Sequence, residues 1–494
     1  MLTYFSLQTL LTIYNLHQTK DIMSTPSWTA NLATSLGAQE SGLKLVLGQL
    51  AGYPLLLLYR RHLASKDTNT QHLYFFLSGL ILAHWVIGEG VTHSLYSILA
   101  TYIILLVSGG TLASVVVSFV LNMTYLLAGY WYMAGDNYDI SWTMPQCVLC
   151  LRLIGLTWDV YDGARQIKDP NSISKDQAKS ALSTSPNILE MLSHSFFIGG
   201  YFVGPQFSLA KYRQFVSPQY QASLPSSPVQ FGLKRLAISI CYMTAHVLGS
   251  SYLPELWPTT EHYTSTPYLL RLVLLPIWCK LILAKYLSMW LMAEGVCVVS
   301  GLSFAGVEDT PEGPKPDWTG CANVKLRRLE SATKFGHYIE AFNINTNSWV
   351  MNYVYKRLRF LNNKYISQAS ALVFLAVWHG WHSGYYLTFF NEFIVVNFER
   401  EFTIIWSSSS KVARWKDHPA YQTITTILGW SYVLFFLPHC FLPFPLLSAT
   451  RYIPAYISLF FIQYLFFLGW LAWGKLARAW LMSENTNTKG RKTE

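Results

Sequence analysis

Charge is what this sequence has least of. Only 13% of its 494 residues are Asp, Glu, Lys or Arg, about half of the roughly 25% found in soluble domains. With 52% hydrophobic residues beside so few charges, the chain reads as a polytopic membrane protein. Cysteine is scarce and odd in number, at seven. Cys147-x-x-Cys150 has neither the second pair of a metal site nor the βαβ setting of a redox motif, so these thiols read as small buried hydrophobes. No Ser or Cys nucleophile elbow, internal repeat, heptad run or low-complexity tract occurs. The segment 1–16 lacks a basic n-region and a small-residue cleavage site, which argues against a cleaved signal peptide.

The net charge of +10 would suggest nucleic acid as a partner for a soluble protein. Here the basic residues form short clusters between apolar windows, with no basic face and no nucleic-acid module. Arg60-Arg61, Lys234-Arg235, Lys325 to Arg328, Lys356 to Arg359 and Lys489 to Lys492 fit cytosolic loops under the positive-inside rule. The 16% aromatic content, with 18 Trp and 31 Tyr, suits many membrane interfaces.

Apolar windows near the length of a span, about 20 residues, occur at 43–59, 72–90, 93–109, 111–133, 188–209, 232–253, 266–303, 368–396, 421–447 and 452–476. The expected fold is therefore all-α, with about ten transmembrane helices plus short re-entrant or amphipathic helices. The 266–303 window exceeds one span, and Pro276, Gly295 or Gly301 is expected to divide or kink it. Between Asp136 and Pro186 the chain is more polar: 142–155 reads as a short or re-entrant span, and Asp159, Asp162, Lys168, Asp169 and Lys175 as a solvated loop. Residues 306–320 carry a loop signature, and 321–355 mixes charge and apolar positions as an amphipathic helix at the cytosolic rim does. The whole, 1–494, reads as one membrane domain with an N-terminal segment 1–42, a rim loop and amphipathic helix 306–342 and a basic tail 477–494. Polar features crowd into the second half, unlike the paired broken helices of inverted-repeat transporters.

The stretch from Glu340 to Tyr386 stands out against this background. It opens with Phe342-Asn343-Ile344-Asn345-Thr346-Asn347-Ser348-Trp349, crosses Lys356-Arg357-Leu358-Arg359, and closes with Trp378-His379-Gly380-Trp381-His382-Ser383-Gly384-Tyr385. Amide and imidazole groups are costly in a bilayer and mark function by default. Asn343 and Asn347 are spaced to share a helix face, with Asn345 pointing elsewhere; His379, His382 and Tyr386 align in the same way within 370–396. A near-neutral imidazole suits a general base, and an amide donates to an oxyanion without burying a charge. Plainer roles stay open: a structural histidine, and Trp378 and Trp381 as interface anchors. His379 with His382 at i, i+3 also starts a metal-type spacing, without a third ligand nearby.

These two motifs resemble those of the membrane-bound O-acyltransferase superfamily, and more narrowly of its lysophospholipid acyltransferases. Supporting runs are Cys147 to Gly163, Phe202 to Phe207, Asp317-Trp318 and Asn323-Val324; the resemblance covers most of the chain from about residue 70 onward. It implies a reaction chamber within the membrane, with His379 and Asn343 as the catalytic pair and His382, Asn347 and Trp378 in support. The implied reaction carries a long-chain, preferably polyunsaturated, acyl group from acyl-CoA to the free sn-2 glycerol hydroxyl of a lysophospholipid. Lysophosphatidylcholine comes first, with the serine and ethanolamine lipids as further acceptors. No permanent cofactor or metal is implied; acyl-CoA is a co-substrate.

Lys325, Arg327, Arg328, Lys356, Arg357 and Arg359 are candidates for the phosphates of coenzyme A, or else positive-inside loop residues. Gln206, Tyr212, Trp381 and Tyr385 are candidates for the lipid path, or ordinary packing residues. The expected partners are acyl-CoA, lysophospholipid and membrane lipids, in a monomer or homodimer of the endoplasmic reticulum membrane. Arg491-Lys492-Thr493-Glu494 resembles a dilysine-type retrieval tail. Protein acylation within the same superfamily, and non-enzymatic lipid transport, are the competing readings. A second acyltransferase pattern, the His-x4-Asp of glycerophosphate acyltransferases, occurs at His62 and Asp67, with Pro311-Glu312-Gly313 resembling a later motif of that family. The distance between the two runs makes coincidence the better account.

Overall fold

The computed structural model describes residues 26–135, 140–225, 228–311 and 313–483. The segment 1–25, Asp136, Glu312 and the basic tail from 484 onward, with its retrieval-like end, lie outside them. Among the described residues the architecture is helical except for one antiparallel hairpin, β1 (Gly306–Thr310) and β2 (Gly313–Asp317), which pairs Gly306 with Asp317. It occupies the place where the Pro-rich sequence reads as a loop.

The first half is built from α1 (Glu40–His62), α2 (Thr68–Ile87), α3 (Val91–Ser108), α4 (Leu112–Tyr132) and α5 (Thr143–Lys168). The second half is built from α6 (Pro228–Ser250), α7 (Tyr268–Ser300), α8 (Ile344–Val350), α9 (Lys364–His379), α10 (Ser383–Ser408) and α11 (Tyr421–Phe441). Among the described residues five stretches are long and apolar enough to cross a membrane: α1, the 41-residue run Thr68–Ser108, α4, α7 and Tyr421–Leu446. At about 1.5 Å of rise per residue the 41-residue run is twice the roughly 30 Å of a bilayer core. It bends at Gly88, whose φ of 60° suits a residue without Cβ.

Several expectations change. The 266–303 window is one 33-residue helix, α7, which passes through Pro276 and Gly295 and stops at Gly301, where φ is 98°. Gly295 is there for close packing: a Cβ on it would stand 2.2 Å from the Tyr53 hydroxyl and 2.9 Å from the Gly232 carbonyl of α6. Small residues let helix backbones approach in this way where lipid removes the hydrophobic drive between helices. The 188–209 window holds only the short helix Ile188–Ser195, and 452–476 is divided among Ala449–Ser458, Ile462–Phe467 and Trp470–Met482. Lys234 and Arg235 lie within α6, not in a loop.

The polar region after Asp136 differs most from expectation. Thr143–Lys168 is a single helix of 26 residues whose Asp159 and Asp162 are buried, not solvated. Asp159 accepts hydrogen bonds from Tyr353 Oη and Ser180 Oγ, both at 2.7 Å, and Asp162 takes a two-pronged ion pair from Arg357. Nor is 321–355 one amphipathic helix; it is the short helices Leu326–Glu330 and Phe335–Ala341, followed by α8 and a widened turn, Met351–Tyr355. Short, broken helices of this kind leave backbone groups and caps available where a long span would consume them.

Three apolar clusters form the core, one around α1 to α3 and the end of α7, one around the start of α7 with α11 and the C-terminal helices, and one between α4, α5 and α9. Phe202, Leu283 and Trp378, one from each cluster, border a common cavity of about 470 Å³.

Candidate active site

The cavity brings both motifs of the 340–386 stretch together. Asn343, Asn347, Trp378, His379, Trp381, His382 and Tyr385 all line it, and Gln206 does so from the other half of the chain. Of these eight, two (His379 and Asn343) are read from the sequence as the catalytic pair, three (His382, Asn347 and Trp378) as supporting positions and three (Gln206, Trp381 and Tyr385) as lipid-path positions.

His379 is the last residue of α9. Gly380 follows at φ 123°, a backbone setting only glycine takes without strain, and Tyr130 lies 3.3 Å from where a Cβ would stand. The apolar window 368–396 is therefore broken here. His382 does not continue the face of His379; it is the N-cap residue of α10. Nδ1 of His379 lies 2.7 Å from the Leu375 carbonyl. A carbonyl oxygen only accepts, so Nδ1 carries the proton and the neutral ring keeps its lone pair on Nε2. The ring is boxed by aromatic neighbours, with centroids at 4.6 Å (Trp378), 5.2 Å (Phe389), 5.3 Å (Phe444) and 5.5 Å (Tyr385). Trp378 is fixed in turn by its Nε1 donating to the Cys147 carbonyl at 2.9 Å.

Asn343 is held differently. It is the N-cap residue of α8 in the left-handed region, φ 49° and ψ 47°, which asparagine tolerates better than most residues. Its amide orientation follows from a chain of hydrogen bonds. The Asn345 backbone N–H, an unambiguous donor, points at Asn323 Oδ1 at 3.0 Å. Asn323 Nδ2 is consequently the donor to Asn343 Oδ1, at 3.3 Å, and the NH2 group of Asn343 is left to face a ligand. Asn345 points away from the cavity, as its spacing predicts, and donates to the Ala322 carbonyl at 3.0 Å. Asn347 lines the cavity but spends its NH2 on the carbonyls of Ile339 and Phe342, at 3.0 and 2.9 Å. Asn323 also borders the cavity, and its backbone N–H faces Glu294 of α7, a buried carboxylate 2.9 Å from Arg235 Nε. Asn323 enters the sequence reading only as part of a resembling run; no spacing rule reveals its orienting role.

The lipid-path candidates divide. Gln206 borders the cavity with its Nε2 on the Val148 carbonyl, Trp381 with its Nε1 on the Leu127 carbonyl at 2.9 Å, and Tyr385 against the His379 ring. Tyr212 is a correction: it is fully buried away from the cavity, within 2.9 Å of His72 Nδ1 and packed on Phe75, Phe197 and Phe215. It sits on the buried face of the seven-residue helix Leu209–Phe215, a location its sequence neighbours do not disclose.

None of the six basic candidates lines the cavity. Lys356 and Arg357 are engaged with acids, Lys356 with Asp176 at 2.7 Å and Arg357 with Asp162, its guanidinium also 4.1 Å above the Trp158 ring. The Lys356 hydrogen bond holds the Asp176 carboxyl below its ordinary value. Arg328 reaches Glu340 at 3.3 Å. Lys325, Arg327 and Arg359 are exposed, without an ion-pair partner among the described residues. In the competing His-x4-Asp run, Asp67 caps α2 and its carboxyl is held low by hydrogen bonds from the Thr70 side chain and backbone. Neither His62 nor Asp67 borders the cavity.

Three charged residues of the described cavity wall are absent from the sequence reading: Glu255, Lys285 and Glu392. The signal for two of them was available, because Lys285 and Glu392 are ionisable residues inside apolar windows, the same criterion that singles out His379. Among the described residues no group of three or more His, Cys, Asp or Glu gathers as metal ligands do.

The membrane-bound O-acyltransferase family (MBOAT) matches residues 127–437, which include both motifs. Lysophospholipid acyltransferase 5 of Rattus norvegicus is 40% identical over 443 residues, covering 89% of this chain and 90% of that protein. The protein of the same name from Drosophila melanogaster is 38% identical over 447 residues, covering 89% and 88%. A lysophospholipid acyltransferase of Schizosaccharomyces pombe is 29% identical over 367 residues, covering 72% and 70%. On the span of the family match and the coverage of these relatives, the chain belongs to the membrane-bound O-acyltransferase family.

Proposed function

We propose that this protein is a lysophospholipid acyltransferase that moves a long-chain acyl group from acyl-CoA to the free glycerol hydroxyl of a lysophospholipid. The observation that carries the reading is the shared cavity of His379 and Asn343, the first offering a lone pair on Nε2 and the second a free NH2 group. His379 Nε2 takes the proton of the lysolipid hydroxyl as its oxygen bonds to the thioester carbonyl carbon. The carbonyl oxygen becomes an oxyanion, which the Asn343 NH2 stabilises. The tetrahedral centre then collapses, the C–S bond breaks, and coenzyme A leaves as a thiolate that recovers the proton from His379. Because a thiolate leaves readily, one positioned base suffices and no acyl-enzyme forms.

In this reading the cavity is an intramembrane chamber reached by acyl-CoA from the cytosol, the span count is about ten, and the enzyme works in the endoplasmic reticulum as a monomer or homodimer. The exposed Lys325, Arg327 and Arg359, together with Arg328, meet the phosphates of coenzyme A. Lys356 and Arg357 do so only by giving up their acidic partners. His382, Asn347, Trp378 and Trp381 support the pair, and the acyl group preferred is polyunsaturated. The test is acyl transfer in microsomes expressing the protein, supplied with lysophosphatidylcholine and a long-chain acyl-CoA. Product is expected from the wild type and not from folded His379→Ala protein; equal turnover by the two removes the reading.

A further inference from the structure

A lysophospholipid brings more than a hydroxyl to the site. On the glycerol carbon next to that hydroxyl it carries a phosphodiester anion, and in many lipids a cationic end beyond it. The described cavity wall holds a single Lys or Arg, Lys285, and it is paired within the cavity to Glu255 at 2.6 Å. Both side chains are about one-third exposed, at 31% and 35%. A partly exposed ion pair contributes little by itself, so an arriving pair of opposite charges exchanges with it at small cost.

Its location fits such an exchange. Lys285 lies five residues before Trp290 on α7, about 7.5 Å along the helix axis, and Trp290 packs on Phe342 at 4.9 Å, the residue before Asn343. On the other flank Tyr286 touches Phe444 at 6.2 Å, and Phe444 touches His379 at 5.3 Å. The ion pair is thus set off from the catalytic pair by a thin aromatic layer. Glu255 is rigidly presented: the fully buried Trp278 donates from Nε1 to the carbonyls of Pro254 and Glu255, at 3.1 and 3.2 Å. Tyr286 also supplies a ring face, 5.4 Å from Lys285 Nζ, and ring faces attract quaternary ammonium groups.

We propose that Lys285 and Glu255 form the headgroup subsite: the Lys285 ammonium binds the lysolipid phosphodiester, and the Glu255 carboxylate, with Tyr286 beside it, faces the cationic end. The subsite favours lysophospholipids with a cationic headgroup end over lysophosphatidylglycerol, whose uncharged headgroup end leaves Glu255 beside an unrelieved negative charge. The proposal rests on the acyltransferase reading above but fails separately from it. Loss of turnover in His379→Ala protein tests the reaction; headgroup ratios test only the subsite.

The experiment compares lysophosphatidylcholine with lysophosphatidylglycerol, matched in acyl chain, using the full-length protein in membranes and one acyl-CoA. Glu255→Gln is expected to lower the ratio of kcat/KM for choline over glycerol lipid at least fivefold, with the KM for acyl-CoA unchanged. Lys285→Gln is expected to raise the KM for both lysolipids about tenfold, again without moving the KM for acyl-CoA. The exchanged variant Lys285→Glu with Glu255→Lys retains an ion pair. If the pair merely braces the fold, exchange restores wild-type ratios, and the proposal is overturned. If it reads headgroups, the exchanged protein stays impaired on the choline lipid. An unchanged choline-to-glycerol ratio in Glu255→Gln protein with normal KM for acyl-CoA also overturns it.

Discussion

His379 and Asn343 face one cavity, yet the protein holds them by different physics. His379 is placed by packing: one backbone carbonyl sets its tautomer, and four aromatic rings set its position. Asn343 is placed by polar contacts: a left-handed cap, then Asn323, then the Asn345 backbone N–H, with the buried Glu294 and Arg235 behind. A base needs a lone pair at a fixed point but gains a charge for a moment, and a box of aromatic rings disfavours that charge and lets the base return to neutral. A donor to an oxyanion needs a direction, and hydrogen bonds are the directional interaction. The difference predicts that damage to the imidazole's surroundings is graded, whereas damage to the amide chain is shared among its members.

The largest effect comes from the base. His379→Ala is expected to lower kcat about 10²- to 10⁴-fold, the usual span for loss of a positioned general base, measured as acyl transfer at saturating acyl-CoA. Next is Asn343→Gly, which keeps the left-handed backbone that alanine would strain and removes only the amide. Its kcat is expected to fall about 10²- to 10³-fold, as for loss of one oxyanion donor. A loss confined to KM would show instead that Asn343 binds substrate and transition state equally.

How much of this contrast shows in the sequence follows from its physics. His379 and Asn343 are legible because polar groups in apolar windows are conspicuous, and because the runs around them resemble a family. Their supports are not. The rings around His379 come from 378, 385, 389 and 444, and aromatic residues are too common here, at 16%, for any one to signal a contact. Asp162 reads as part of a solvated loop because its partner Arg357 is 195 positions away, beyond the reach of any helical spacing. The break at Gly380 is hidden for a related reason: the chain is apolar on both sides, so the window continues although the helix does not. Helicity and membrane character were plain from composition, whereas the lengths of the pieces depended on glycines and caps whose effect is settled by packing.

Asn323 sharpens the comparison at an intermediate size. Asn323→Asp keeps the acceptor for the Asn345 N–H but replaces the donor to Asn343 Oδ1 with a second oxygen. One misdirected hydrogen bond of about 1 kcal/mol corresponds to a loss in kcat of somewhat under tenfold. The sharper measurement is the cycle with Asn343→Gly. If Asn323 acts through Asn343, the double variant is no slower than Asn343→Gly alone; full additivity would show that Asn323 touches the reaction by another route.

The smallest effect is expected on the packing side, and there the pattern should reverse. Phe389 contacts the His379 ring at 5.2 Å without hydrogen bonding to it, so Phe389→Leu removes an aromatic contact worth about 0.5–1.5 kcal/mol and leaves the Leu375 carbonyl in place. Since three other rings still enclose the imidazole, the lower end of that range applies, about a threefold fall in kcat. The tautomer is unchanged, so the shape of the pH–rate profile should not change with it. Combined with Asn343→Gly, the threefold factor should persist undiminished, because packing around the base and direction of the donor are independent devices. A multiplied loss there, beside a masked loss for Asn323→Asp, is the outcome that separates the two modes of support; equal behaviour of both variants would mean that one continuous network holds base and donor together.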